Sequence, residues 1–174
     1  MCFGGGDNPA KPSCTGSKGS CAAEPADPID QAIDIIAKSK FAKTVEGTKV
    51  LKKVRQLRKD GKIVRKKLGK HTLGQWKGGQ IEVPDDATDP NFIASSVLVH
   101  EGTHALNEEE VPEAKKKFVI DEEMRTNTNE LDLYEEQREK GYTFGELERR
   151  RNARNAGTLR DDVRSRYPGL PEHL

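Results

Sequence analysis

Apolar residues along the chain fall into helical stripes, interrupted once by short runs of strand-like alternation. Ile29, Ala32, Ile33, Ile36 and Ala37 recur three and four apart, with Phe41 a turn further on, which predicts an amphipathic helix. Asp27-Pro28 in front of them is an N-cap followed by proline at the first helical position. Val50, Leu51, Val54 and Leu57 make a second, narrower stripe that Gly61 stops. Residues 62–69, 72–76 and 80–83 read as strands, separated by Gly74 and Gly78-Gly79 and closed by Pro84-Asp85-Asp86. The glycines and charges among them predict a small, edge-rich sheet. Asp89-Pro90 repeats the cap-plus-proline device, and Phe92, Ile93, Val97, Leu98 and Leu106 predict a helix over 91–107. An acidic, proline-containing linker at 108–113 leads to a helix over 116–140. Thr143-Phe144-Gly145-Glu146 has the form of a capping box for another helix, and 158–166 predict a last short one. Helices, a few short strands and more helices imply one mainly helical α+β domain over 27–167.

Residues 1–26, rich in Gly, Ser, Pro, Lys and Ala without an apolar period, are expected to form a flexible tail, and 168–174 a second one. Cys2, Cys14 and Cys21 all fall in the first. Their odd number and the lack of a C-x-x-C pair indicate neither a disulfide framework nor a cysteine zinc site. With 33% hydrophobic and 34% charged residues in 174, only a small core is available. No run approaches ~18 apolar residues, so no membrane span is expected. The start lacks a basic and then apolar leader. The expectation is a protein that stays in the cytosol or leaves by a signal-independent route.

The net charge of +1 hides a segregation. Between Lys38 and Lys70 there are 14 Lys/Arg against Glu46 and Asp60, and between Glu101 and Glu139 there are 13 Asp/Glu against 5 Lys/Arg. A basic run can grip phosphates. However, Leu51, Val54 and Leu57 explain its helical part as a surface helix, and 49–70 lacks aromatic residues to stack on bases. Nucleic acid is therefore disfavoured as a partner. Pairing of the basic stretch with the acidic one is the expected use of these charges.

The chemistry is concentrated in His100-Glu101-Gly102-Thr103-His104. Histidines four apart on a helix stand one turn above each other on one face, where both imidazoles can reach one zinc ion at ~2.0–2.1 Å. Glu101 points to the side of that pair, in place to take a proton from a water that the metal has acidified towards a pKa of ~7. Val97, Leu98 and Val99 before the motif, uncharged Gly102 and Thr103 within it, and Ala105 and Leu106 after it predict a helix that carries its histidines into a core. Gly102 lowers helix stability by roughly 1 kcal/mol against alanine, which suggests a close approach by a strand or substrate.

This stretch resembles the zincin metallopeptidases, in particular the gluzincin, thermolysin-type branch. The third histidine of the metzincins is missing, since Asn107 and Glu110 follow instead. The resemblance is tight over 97–107 and loose over about 45–140. It implies a minimal metalloendopeptidase domain whose small sheet packs on the motif helix and docks a peptide substrate along an edge strand. Gln80–Val83 fits the place of that strand. It also implies a third zinc ligand, a glutamate on the next helix, which offers Glu122, Glu123 and Glu130. On helical periodicity Glu123 and Asn127 share the inward face of Ile120, Met124, Leu131 and Tyr134, whereas Glu122 lies on a flanking face with Val119, Thr126 and Leu133. Glu123 is favoured, with Asn127 where the family has a polar supporting residue. Glu122 and Glu130 stay open. The expected set is thus His100, His104 and Glu123 on zinc, with Glu101 as base. A donor for the developing oxyanion would come from Tyr134, Tyr142, Tyr167, His71 or Arg125. The rival expectation is a zinc-containing or basic-faced binding protein without turnover.

Overall fold

A computed structural model describes residues 26–112 and 119–173. Residues 1–25 of the first tail, with the cysteines, and the start expected for the 116–140 helix lie outside them. Helix α1 (Pro28–Lys38) is capped by Asp27, whose carboxylate accepts the Ile29 amide. A short 3-10 turn, Phe41–Lys43, leads to α2 (Val45–Lys59), and Gly61 ends it with φ 67°. Strands β1 (Ile63–Lys66), β2 (Gln75–Lys77) and β3 (Gln80–Pro84) follow. Next come α3 (Pro90–Phe92), capped by Asp89, a π-helical segment Ile93–Val99, and α4 (His100–Glu110), which run on as one rod. The last three helices are α5 (Ile120–Glu139), α6 (Gly145–Asn155) and α7 (Leu159–Arg166). The fold is α+β and mainly helical. No helix of the described residues is long and apolar enough to cross a membrane.

The sheet has the order β1-β3-β2. β3 pairs parallel with β1 and antiparallel with β2 through a two-residue Gly78-Gly79 turn, both at positive φ, as a type I′ hairpin requires. The expectation that Gln80–Val83 is the edge strand is therefore corrected: β3 is central, and β2 is the edge beside α4. Glu82, between Ile81 and Val83, is buried as they are. Lys66, Gln75 and Gln80 all donate to its carboxylate, so neighbouring strands replace the water that an edge would supply.

Two apolar clusters flank α5. The larger joins α1, α2, the sheet and the π-α4 rod and reaches Leu133 of α5. The smaller joins Ile120, Leu131 and Tyr134 of α5 to Leu147, Leu159 and Val163. α5 is thus buried on two sides, and its "flanking" face is interior as well. The capping box at Thr143 does not form. Phe144 is the N-cap residue, without a side-chain bond, because its ring packs on Phe92 and Tyr134 and its amide donates to Tyr134 Oη. α4 also continues to Glu110, so three residues of the expected linker are helical. Lys49 and Lys53 of α2 pair there with Glu110 and Glu109, an internal use of the opposite charges. Residues beyond Tyr167, expected as a tail, return to the start of α5.

Gly102 marks a close approach, but of a helix rather than a strand. A Cβ there would lie 2.7 Å from Val54 Cγ2 of α2 and 3.5 Å from Val50 Cγ1. Gly102→Ala is expected to lower stability by about 1–3 kcal/mol through overpacking, although alanine is the better helix former by about 1 kcal/mol. Urea unfolding measures this, and a variant as stable as the parent would contradict the packing.

Candidate metal centre

Every residue from Ile93 to Asn107 is buried. The motif helix therefore runs through the interior, as its lack of charge predicts. The imidazoles of His100 and His104 stand 5.2 Å apart between centroids at 67°. Across from them lies the first turn of α5, with Asp121, Glu122 and Glu123, where a helix N-terminus favours negative charge.

Three carboxylates of α5 are buried here, and each needs a partner. Glu122 Oε1 lies 2.8 Å from His104 Nδ1. Glu130 Oε2 lies 3.3 Å from His100 Nδ1 and also accepts from Arg150 of α6. Glu123 Oε1 lies 3.4 Å from the other His104 nitrogen, Nε2. Nδ1 of each ring faces a carboxylate, so Nε2 is the nitrogen that each ring would offer to a metal. This is how histidine ligands are usually oriented. Glu123 thus stands with the two histidines, and donor atoms of His100, His104 and Glu123 lie within 4.8 Å of one another. Glu122 and Glu130, the open alternatives, stand behind the histidines instead.

The donor set fits a zinc ion on two counts. Tetrahedral bonds of ~2.0–2.1 Å separate ligand atoms by roughly 3.4 Å, and His104 Nε2 and Glu123 Oε1 already have that spacing. One oxygen of each of Glu122, Glu123 and Glu130 is buried with no hydrogen-bond partner, a cost that a cation beside Glu123 would remove for that carboxylate. The electrostatics agree. Burial alone would lower the His104 pKa, but the Glu122 bond and the charges of Glu123 and Glu101 outweigh it and raise it. Burial alone would raise the Glu130 carboxyl, but His100 and Arg150 hold it below the usual range.

Glu101 lies beside the pair and accepts the backbone N–H of Trp76 on Oε2 at 2.7 Å. Trp76 belongs to β2, so the open sheet edge faces the motif. Glu101 and His100 line a cavity of about 210 Å³ with His71, Gly74, Ser96, Arg150 and Tyr167. The structure sorts the five oxyanion candidates. Tyr167 and His71 line the cavity. Tyr134 is fully buried and donates to Glu148, Tyr142 is exposed, and Arg125 is bonded to Glu46, Asn107 and Glu110. Burial and the nearby Glu123 charge push the Tyr167 hydroxyl up to about 12, so it stays a donor.

Sequence reasoning missed three contributors. The Trp76 amide carries no side-chain signal. Arg150 sits in a charged run, Glu146 to Arg151, with nothing to mark it as the buried one. Ser96, whose buried hydroxyl has no partner and lines the cavity, is turned there by a π-helical segment that its apolar surroundings do not announce. Such segments often sit at functional sites. Comparison with known protein families, characterised proteins and solved structures finds no match to this chain.

Proposed function

We propose that the chain is a zinc-dependent metallopeptidase of gluzincin-like design, a hydrolase of peptide bonds. The observation that carries this reading is the convergence of His100, His104 and Glu123 from two helices, with Glu101 and a cavity alongside. Zinc held by these three residues would polarise a carbonyl and bring the pKa of a water towards ~7. Glu101 takes the proton from the attacking water and passes it to the leaving amine. The amide of Trp76 fixes one oxygen of that carboxylate, so the other is the working oxygen. Tyr167, protonated at neutral pH, donates to the oxyanion, and His71 at the cavity wall is the second donor. Glu122 and Glu130 hold the imidazoles in register from behind.

A protein that holds zinc without turnover is the second reading. It is favoured by the same Trp76–Glu101 bond, which occupies an edge-strand amide that a docking peptide strand would use.

Metal analysis and a broad peptide panel test the proposal. The purified protein is expected to hold one zinc ion, to lose cleavage on chelation and to regain it on adding zinc. Free zinc at 100 times Kd is expected to stabilise the fold by about 2.7 kcal/mol, read as a rise in Tm over the chelated protein. Zinc uptake with no cleavage anywhere in the panel would favour the second reading. No uptake would end both.

A further inference from the structure

The third ligand rides on the first turn of α5. A helix's first amides have no partner within the helix, and Val119 at the N-cap offers no side-chain acceptor. Their partners come from much later in the chain. Ile120 N–H donates to the Pro171 carbonyl at 2.8 Å, and Asp121 N–H to that of Glu172 at 3.2 Å.

The capping segment is itself fastened. Arg160 donates to Glu172 at 2.6 Å and to Asp121 at 2.7 Å, tying the two together. Arg164 adds a 2.7 Å bond to Glu172, and with Arg160 holds that carboxyl down at about 2. His173 pairs with Asp121, and Leu170 packs on the cluster that contains Ile120. One turn along α5, Arg166 donates to Asn127 Oδ1 at 2.9 Å, and Asn127 Nδ2 donates to the Glu123 carbonyl at 2.6 Å. The turn bearing Glu122 and Glu123 is gripped by α7 and the residues after it.

We propose that residues 170–173 are a positioning clamp for Glu123, capping the turn that carries this ligand and thereby setting how tightly the centre holds its ion. The inference rests on the metal-centre reading. Fraying of an uncapped first turn would carry Glu123 away from the 3.4 Å spacing to His104, so metal affinity, and not only stability, depends on the cap.

The test compares the full chain with a chain ending at Gly169 and with Arg160→Gln in the full chain. Zinc affinity is read by chelator competition, cobalt absorption reports coordination geometry, and amide exchange is followed at Ile120 and Asp121. The shortened chain is expected to bind zinc about tenfold more weakly, the size of a lost helix cap, and to change its cobalt spectrum. Val119→Thr in the shortened chain, a near-isosteric change that supplies a side-chain acceptor, is expected to restore part of the loss. Arg160→Gln is expected to weaken binding about threefold, as for one partly exposed ion-pair network, and decides the matter if the shortened chain does not fold. Ile63→Val in β1, a control that lowers stability, should leave zinc affinity unchanged. A folded shortened chain, or Arg160→Gln, that holds zinc as tightly as the parent would overturn the clamp. A full chain that takes up no zinc would sink the metal-centre reading instead. Exchange would then test the cap alone: faster exchange at Ile120 and Asp121 in either variant supports the capping of this turn by residues 170–173, and unchanged exchange overturns it.

Discussion

Glu101→Gln is expected to leave the metal in place and to cut peptide cleavage by a factor of about 10²–10⁴, the usual contribution of a positioned general base. The variant separates binding from chemistry because of where this side chain stands. Glu101 is not among the three residues whose donor atoms converge, so zinc content should be that of the parent. Glutamine has the same shape, and its carbonyl oxygen can still accept the Trp76 amide, which Glu101 Oε2 does at 2.7 Å. What is lost is the ability to take a proton. Zinc content and kcat measured on one preparation check this. A variant that cuts as fast as the parent removes Glu101 from the mechanism, and one that loses its zinc makes Glu101 part of the metal site.

Glu123→Ala is expected to weaken zinc binding by roughly two to three orders of magnitude, since structural zinc sites hold ~10–16 kcal/mol shared among about four ligands. Glu122→Gln and Glu130→Gln are expected to cost only about 10–100-fold each, the usual effect of a residue behind a histidine ligand. The ranking follows from geometry. Glu123 Oε1 meets the Nε2 side of His104, whereas Glu122 and Glu130 meet the Nδ1 side of each ring. Glu130 has a further tie, since Arg150 anchors it from α6. Competition with a chromophoric chelator resolves differences of this size. If Glu122→Gln costs as much as Glu123→Ala, the assignment of ligand and support must be exchanged.

Much of the site is legible along the chain because it is local. His100 and His104 share a face by the period of the helix alone, and Glu101 follows from adjacency. Glu123 was favoured over Glu122 on a narrower argument, that one face of α5 is inward. The structure brings Glu123 to His104, but Glu122 meets the same ring from its other side, so the premise of that argument is incomplete. α5 lies between two clusters, with Leu133 in one and Ile120, Leu131 and Tyr134 in the other. Both faces are interior, and Glu122 and Glu123 differ in which nitrogen of His104 each meets. Periodicity carries no information on that.

The same division runs through the fold. Asp27-Pro28, Asp89-Pro90, Gly61 and the Gly78-Gly79 turn act within two residues of themselves, and each does in the structure what its residue type dictates. Amphipathic spacing likewise determined α1 and α2, since one buried stripe is enough to orient a helix. Where a residue's state depends on something distant in sequence, only the tertiary structure decided it. Glu82 is interior because Lys66 and Gln75 reach it, which makes β3 a central strand. Thr143 does not cap α6 because Phe144 has a better place against Phe92 and Tyr134. Arg150, Arg166 and the residues after Tyr167 meet Glu130, Asn127 and the first turn of α5 only through the packing of α5, α6 and α7. The chemistry of a side chain is a property of the sequence, but its partner is set by which surfaces bury each other, and that is a property of the whole chain.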